Sequence, residues 1–449
     1  MASITNTAST APRRLMAIRK PGVRAPEGGF PALLRIAPLV LLTIGLLMPP
    51  EVRFRIVDQN IYAYRMVYLL LAPWCIYSLL KGAMRYHFMD LLVVAAVSWM
   101  TLSFVVLYGF AEGFPSGVAV ALDVLLPYII ARLAVTNLQD FRRFLVVLAP
   151  IVFALAILLP FEAIFHNRFI RDASVATFGV VQEVPFDIAD DTRMGMLRAM
   201  GSFSHPILAG LFFGQLLPLY WFSRIRGWPF YAGFASGVAT FFTLSSAALF
   251  GLVLFLVLAL YNYVRKVVYF LTWPILIAAV GAAMAVLHVV SQNGLLAVLI
   301  RLTFNPGTGY YRLLTWEYGS ISVERHPWFG IGFEEFERLP WMHTSVDAFW
   351  LAIAMRNGLP PSILFGLATL IAIFVVARSA SRSSGADQTT LTGLAITLAI
   401  LFILGFTVTF YGGLLIWFSI LLGIGATFGS VPTRSVAPNA AVRGRIERR

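Results

Sequence analysis

The sequence predicts an all-α protein: a polytopic transmembrane helix bundle of about twelve spans, interrupted by two long external loops that contain short helices. Three observations predict it. The chain is 59% hydrophobic and only 12% charged, against roughly 25% charged residues in soluble domains. Its mean hydropathy is +0.81. Its basic residues fall mostly in short clusters between apolar runs of about 20 residues, the length that crosses a bilayer.

Residues 1–31 read as a flexible cytoplasmic tail carrying Arg13, Arg14, Arg19, Lys20 and Arg24. Leu39 to Met48 runs into Pro49-Pro50 without a small-x-small cleavage site, so the first apolar run is expected to remain as a span. Spans 1–5 occupy 32–160: about 32–49, 64–80, 89–108, a fourth ending near 134 after a short loop at Ala111–Gly117, and a fifth ending near Pro160. The first long loop is 161–204. Spans 6–9 occupy 205–290, and the run 228–263 is too long for one helix. Thr243-Leu-Ser-Ser246 near its middle predicts two short spans there. The second long loop is 291–347, spans 10–12 cover 348–430 with the tenth at about 348–377, and 431–449 is a basic tail. Twelve spans place the clusters at 81–85, 142–143, 224–226, 265–266 and 378–382 and both tails on the inside. Both mixed-charge loops then lie outside. Arg53, Arg55 and Arg65 in the first external loop depart mildly from that rule.

The formal net charge of +13 does not gather on a polar domain, which argues against nucleic acid. Cys75 is the single cysteine and lies in an apolar run, so no disulfide framework or thiol metal site is expected. Six scattered histidines show no metal-ligand spacing, and no metal or cofactor is expected. Few strong charges lie within spans. Asp123 is read as a residue near the outer mouth rather than a proton relay, and Arg356 stands in the outer half of span 10.

Chemistry is therefore expected in the loops. The first ends in Arg198-Ala-Met-Gly-Ser-Phe-Ser-His-Pro206. Two readings of Arg198 fit: its planar fork grips a phosphate, or it anchors at the interface and pairs with Asp190 or Asp191. In the second loop a helix is expected from Arg312 to Glu324, with Leu314, Tyr318 and Ile321 on one face and Arg312, Trp316 and Gly319 on another. His326-Pro327 ends it. Phe329-Gly-Ile-Gly332 forms a turn whose N–H groups could approach an anion. Glu334, Glu335 and Glu337 read as a solvated face. His343 and Asp347 sit where the chain re-enters the membrane, a suitable place for a general base.

Three segments resemble the bacterial O-antigen ligase/polymerase family of integral membrane glycan transferases. The first is Arg198-x-x-Gly-Ser-Phe-x-His-Pro206. The second is Arg312-x-x-x-Trp316 with Ile321-x-x-x-x-His326-Pro-Trp-Phe-Gly-Ile-Gly-Phe333. The third is Asp347-x-x-Trp-Leu351 with Arg356-Asn-Gly358. Order and topology match over about 160 residues. The resemblance implies a metal-independent glycosyltransferase in the bacterial inner membrane, with both long loops periplasmic. It implies that Arg198 and Arg312 hold the diphosphate of an undecaprenyl-diphosphate-linked glycan, and that His343 or Asp347 activates the acceptor hydroxyl. His205, Tyr311, Trp316, His326, Trp350 and Arg356 would support them. Implied partners are the lipid-linked donor and acceptor glycans, membrane lipid, and flippase and chain-length regulator proteins.

The chain departs from ligase-like members at two places: Asp347 occupies the register of their catalytic His, and Ser245-Ser246 stands where a Ser-Arg is often found. The Asp-x-x-Trp-Leu pattern is more similar to exopolysaccharide repeat-unit polymerases. Polymerase is thus the expected function, with O-antigen ligase as the alternative. A lipid-linked glycan flippase or other transporter is a third reading, which the scarcity of charges within the spans disfavours.

Overall fold

The computed structural model describes residues 30–56, 59–178, 191–290 and 306–429. The tails expected at 1–31 and 431–449, apart from Phe30 and Pro31, lie outside the described residues. So do Glu183, Asp187 and Asp190 of the first loop and 291–305 of the second. What is described is mostly helical, with two short hairpins and no closed sheet.

The chain opens with α1 (Phe30–Leu47), an antiparallel hairpin β1–β2 (Arg53–Ile56, Gln59–Tyr62), α2 (Ala63–Leu80) and α3 (Phe88–Ala134). His87 starts α3 with a capping box in which Asp90 accepts from the His87 N–H at 2.6 Å. Although α3 is one stretch of 47 residues, it doubles back at Gly109, whose φ of 75° is left-handed. The two arms then run so close that a Cβ on Gly113 would stand 2.1 Å from the Phe104 carbonyl oxygen. The reversal expected as a loop at Ala111–Gly117 is therefore a single glycine, and those loop residues are helical. Only glycine takes that backbone freely.

Next come α4 (Leu138–Ala156), α5 (Leu158–Phe165) and α6 (Phe169–Phe178), so the apolar helix extends past the boundary expected at Pro160. A two-residue hairpin, β3–β4 (Thr192–Arg193, Met196–Leu197), precedes α7 (Pro206–Ser223). The long run after it divides into α8 (Trp228–Val238), a 3-10 turn (Ala239–Thr243) and α9 (Ser246–Val264). Leu244 is left-handed at the break, and the Ser245 hydroxyl caps α9 by accepting from Ala248 N–H at 3.4 Å. Then follow α10 (Trp273–Val290) and α11 (Pro306–Arg325) in the second loop.

The span expected at 348–377 is two helices, α12 (Phe349–Asn357) and α13 (Leu359–Arg382). Gly358 separates them at φ 85°, and Pro360-Pro361 can occupy only the first turn of the new helix. Arg356 is thus an exposed residue in the last turn of a short helix rather than one within a span. The chain finishes with α14 (Gly385–Leu404) and α15 (Gly413–Gly429).

Among the described residues, α2, α3, α4–α5, α7, α9, α13 and α14 are long and apolar enough to cross a membrane, and α1, α10 and α15 are shorter apolar helices. These are the length and composition of an integral membrane protein. The core lies where α3, α7, α14 and α15 meet, around fully buried Trp417, Tyr128, Phe212 and Phe418. A second, smaller core joins α11 to α12 through Leu314, Val323, Leu351 and Met355.

One end of the bundle pairs four arginines with buried or half-exposed carboxylates. Asp140 accepts from Arg35 at 2.9 Å and Arg143 at 3.1 Å. Arg132 pairs with Asp90 at 3.0 Å, and Arg142 with Asp387 at 2.7 Å. Asp123 is also paired: Arg65, from the first turn of α2, grips it with two nitrogens at 2.5 and 3.0 Å, and Tyr68 donates to it at 2.7 Å.

A Cβ on Gly358 would stand 2.0 Å from the Trp328 carbonyl oxygen. Gly358→Ala is expected to lower thermal stability, with at least about 1–2 kcal/mol coming from the left-handed backbone alone. Gly366→Ala, where the added carbon meets only Trp350 at 4.0 Å, is the control expected to be neutral in the same detergent-solubilised melt.

Candidate functional site

The site is built at the end of the bundle opposite the paired arginine clusters. The stretch 191–205 is held from below by Glu162, fully buried in α5, whose Oε2 accepts the Met200 and Gly201 N–H groups at 3.1 and 2.9 Å. Ala199 N–H donates to the Phe242 carbonyl at 3.0 Å, tying the stretch to the turn before α9. Arg198 is thereby fixed on a rigid platform. It is buried, and its single side-chain hydrogen bond among the described residues is a long one, 3.3 Å to Asp191. The shorter bond to Asp191, 2.6 Å, comes from Arg168. Arg171 is spent elsewhere, on buried Glu51 at 2.5 Å.

Arg312 approaches from α11. It is 3% exposed. Its side chain makes no hydrogen bond among the described residues, and its Nε is buried without a partner. Asp347 is the one counter-charge acting on it, while Arg193 opposes. Arg193, at the end of β3, donates from Nη1 to the Leu244 carbonyl at 3.0 Å and to the Ser246 hydroxyl at 3.3 Å.

Arg168, Arg193, Arg198 and Arg312 outnumber Asp191 and Asp347 here, and burial is the largest influence on the ionisation of Arg198, Arg312, Asp347 and His205. Burial, and then the charge of Arg193, lower the Arg198 guanidinium to about 10. It is still charged at neutral pH, but short of compensation. Burial also lowers Arg312, against the pull of Asp347. Asp347 itself is raised above the ordinary carboxylate range by burial, with Arg312 and His343 working the other way. His205, which caps α7 by accepting Ile207 N–H at 3.1 Å, is lowered to about 4 by burial and by Arg198. A buried, undercompensated cluster of fixed cations is a receptor for a polyanion.

The structure brings Arg198, His205, Arg312 and Asp347 into one electrostatic cluster. Tyr411 lies close enough to Ser204 and to the Asp347 charge for both to act on its hydroxyl. His343 stands exposed at the rim, its carbonyl accepting from the Tyr311 hydroxyl at 3.1 Å. Trp316 stacks on Phe406 and donates to its carbonyl at 3.0 Å. Trp350 is buried and donates to the Phe402 carbonyl at 3.0 Å. The two indoles pin the α11 and α12 scaffold to the last turn of α14 and to the turn that follows it. The face beside Gly319 is filled by Leu351 and Met355, so that glycine permits helix contact rather than leaving room near Arg312.

His326 and Arg356 do not join the cluster. His326 is exposed at the far end of α11, roughly 20 Å along the helix from Arg312 at 1.5 Å per residue. The Phe329–Gly332 turn offers no anion cradle. Ile331 and Gly332 donate their N–H groups to the Met355 and Arg356 carbonyls at 2.8 and 3.0 Å, and Gly330 donates to His326 at 3.0 Å. That strap also locks α3 through Ser103 to the Phe329 carbonyl and Trp99 to the Trp328 carbonyl. The Glu334, Glu335 and Glu337 face is exposed and carries ion pairs to Arg325 and Arg338. Among the described residues no group of His, Cys, Asp or Glu is clustered as a metal site.

The pairing of Arg198 with Asp191, one of the two sequence readings, is present; sequence reading missed Arg193, Arg168, Ser204, Tyr411 and Glu162 as parts of the site. The density of arginines between 168 and 198 was the available signal for the first two.

The His205 shift sets a pH window. The folded imidazole holds a proton only near pH 4, whereas an unfolded one does so near 6.5. The unfolded chain therefore binds more protons between these values, so stability is lost as pH falls from about 6.5 toward 4. Thermal melts across that range are expected to fall less steeply for His205→Gln than for the parent. No protein-family model matches the chain, and no curated protein matches it significantly.

Proposed function

We propose that the protein is a membrane glycan polymerase joining undecaprenyl-diphosphate-linked repeat units at the periplasmic face of the bacterial inner membrane. One observation carries the reading. Arg312 is buried without a hydrogen-bond partner among the described residues, close enough to Asp347 for each to shift the other's ionisation and within the field of Arg193, which also acts on Arg198. Such a site fits a leaving group with several negative charges beside a base.

The topology proposed is twelve-pass, counting both arms of α3 and taking α8 with its 3-10 turn as one short span. The paired arginine clusters then face the cytoplasm and the site faces out. In the reaction the acceptor hydroxyl oxygen attacks the anomeric carbon of the donor glycan. Asp347 takes the hydroxyl proton, the bond from that carbon to the diphosphate oxygen breaks, and the lipid diphosphate departs with the electron pair. Arg198 and Arg312 stabilise the charge that develops on it. His343, at the rim, adds a donor toward the acceptor. The raised carboxyl of Asp347 suits a base that must accept a proton and later release it.

Cells carrying Arg312→Ala or Arg198→Ala are expected to lose long-chain polysaccharide and accumulate single repeats on lipid, with normal membrane insertion. Full-length chains stranded on lipid would identify a ligase, and unchanged glycan would leave the transporter reading in front. Asp347→Asn is expected to lower turnover by about 10²–10⁴-fold, the usual contribution of general acid–base catalysis. Because a base must be unprotonated, the parent rate should fall on acidification at a higher pH than an ordinary aspartate would give. An acid limb in the unperturbed aspartate range would remove Asp347 from that role.

A further inference from the structure

Arg193 has no task in the reaction described above, yet the fold invests in aiming it. It ends β3 of a hairpin whose two turn residues, Met194 and Gly195, both have positive φ, 52° and 74°. That is the tight hairpin turn whose twist matches its strands. Its Nη1 is gripped by the Leu244 carbonyl and the Ser246 hydroxyl. Leu244 is buried and left-handed at φ 45°, a backbone that leucine adopts only under strain, and strain of this kind gathers at ligand sites. The grip uses one nitrogen only, so Nε and Nη2 make no hydrogen bond among the described residues. The Arg193 charge acts on Arg198, on His205 and on Arg312.

We infer that Arg193 is a third phosphate-binding residue, carried on the hairpin that leads into Arg198 and aimed by the Leu244 carbonyl and the Ser246 hydroxyl, which makes the site select a diphosphate over a single phosphate. The inference rests on the anion-binding reading of the same site. One phosphate engages one or two of the arginines, whereas two linked phosphates engage all three. Ser246 acts through Arg193 and is a positioning residue.

The test uses the full-length protein in detergent micelles at fixed ionic strength, with inorganic pyrophosphate and orthophosphate as probes in calorimetric titration. Arg193→Gln is expected to weaken pyrophosphate binding roughly 10- to 100-fold, the loss of one or two charge-assisted hydrogen bonds. Orthophosphate binding should change by less than about threefold. Ser246→Ala should weaken pyrophosphate by about 3- to 10-fold, and Ser246→Thr, which keeps the hydroxyl, should restore it. Parent-like pyrophosphate binding by Arg193→Gln, while Arg198→Gln and Arg312→Gln lose it, would overturn the role of Arg193 and leave the anion site standing. Equal loss of both probes in Arg193→Gln would overturn the selectivity. No pyrophosphate binding by the parent protein would remove the anion-site reading and this inference with it. Should Arg193→Gln fail to give monodisperse protein, the Ser246 pair decides: Ser246→Ala indistinguishable from the parent sinks the proposal.

Discussion

The Asp191 carboxylate is shared by two arginines, and the end of the bundle that holds the candidate site depends on that shortage. Arg168 takes the short bond and Arg198 the long one, so the second guanidinium is buried with less than one counter-charge to itself. Burying a cation costs several kcal/mol unless it is matched. The structure offsets this with rigidity rather than with more carboxylates: Glu162 fixes the Arg198 platform through two backbone N–H groups, and Phe242 ties it to the core. Arg312 then enters from α11, and Arg193 from the hairpin of the same stretch, and both raise the positive potential further.

The opposite end of the same bundle makes the contrast. There Asp90, Asp140 and Asp387 each meet at least one arginine at 2.7 to 3.1 Å. Within the bundle Asp123 is satisfied by Arg65 and Tyr68 together. A pair so closely matched contributes to packing and gives a moving proton little to work on.

Much of this was legible in the chain. Apolar run length located most of the spanning helices, and Thr243-Leu-Ser-Ser246 marked the break between α8 and α9. Arg198, Arg312 and Asp347 could be selected because they interrupt apolar sequence where few charges are tolerated. The Gly109 reversal was not legible to the residue, because an apolar hairpin with a one-glycine turn has no polar loop to announce it. The break of the tenth span carried its signal in Gly358-Leu-Pro-Pro361, outweighed by the length of the apolar run. The Gly-Ile-Gly turn misled for a general reason: positive φ can serve packing as well as anions, and only the hydrogen-bond partners distinguish them. Arg193 depends on the direction of the Leu244 carbonyl, a backbone property that no residue type encodes.

The shortness of α8 has a consequence for the lipid around it. With 11 helical residues and five in a 3-10 turn, this segment rises about 26 Å, less than the roughly 30 Å of hydrocarbon in a typical bilayer. Leu244 and Ser246, which grip Arg193, follow directly on its end. If α8 spans a bilayer as proposed, either the bilayer thins beside it or the arginines lie recessed below the headgroup plane. On the proposed function, a lipid headgroup would then reach them by moving sideways within its own leaflet, without lifting its chain out of the membrane. The floor of the candidate site would become part of the membrane's thickness profile.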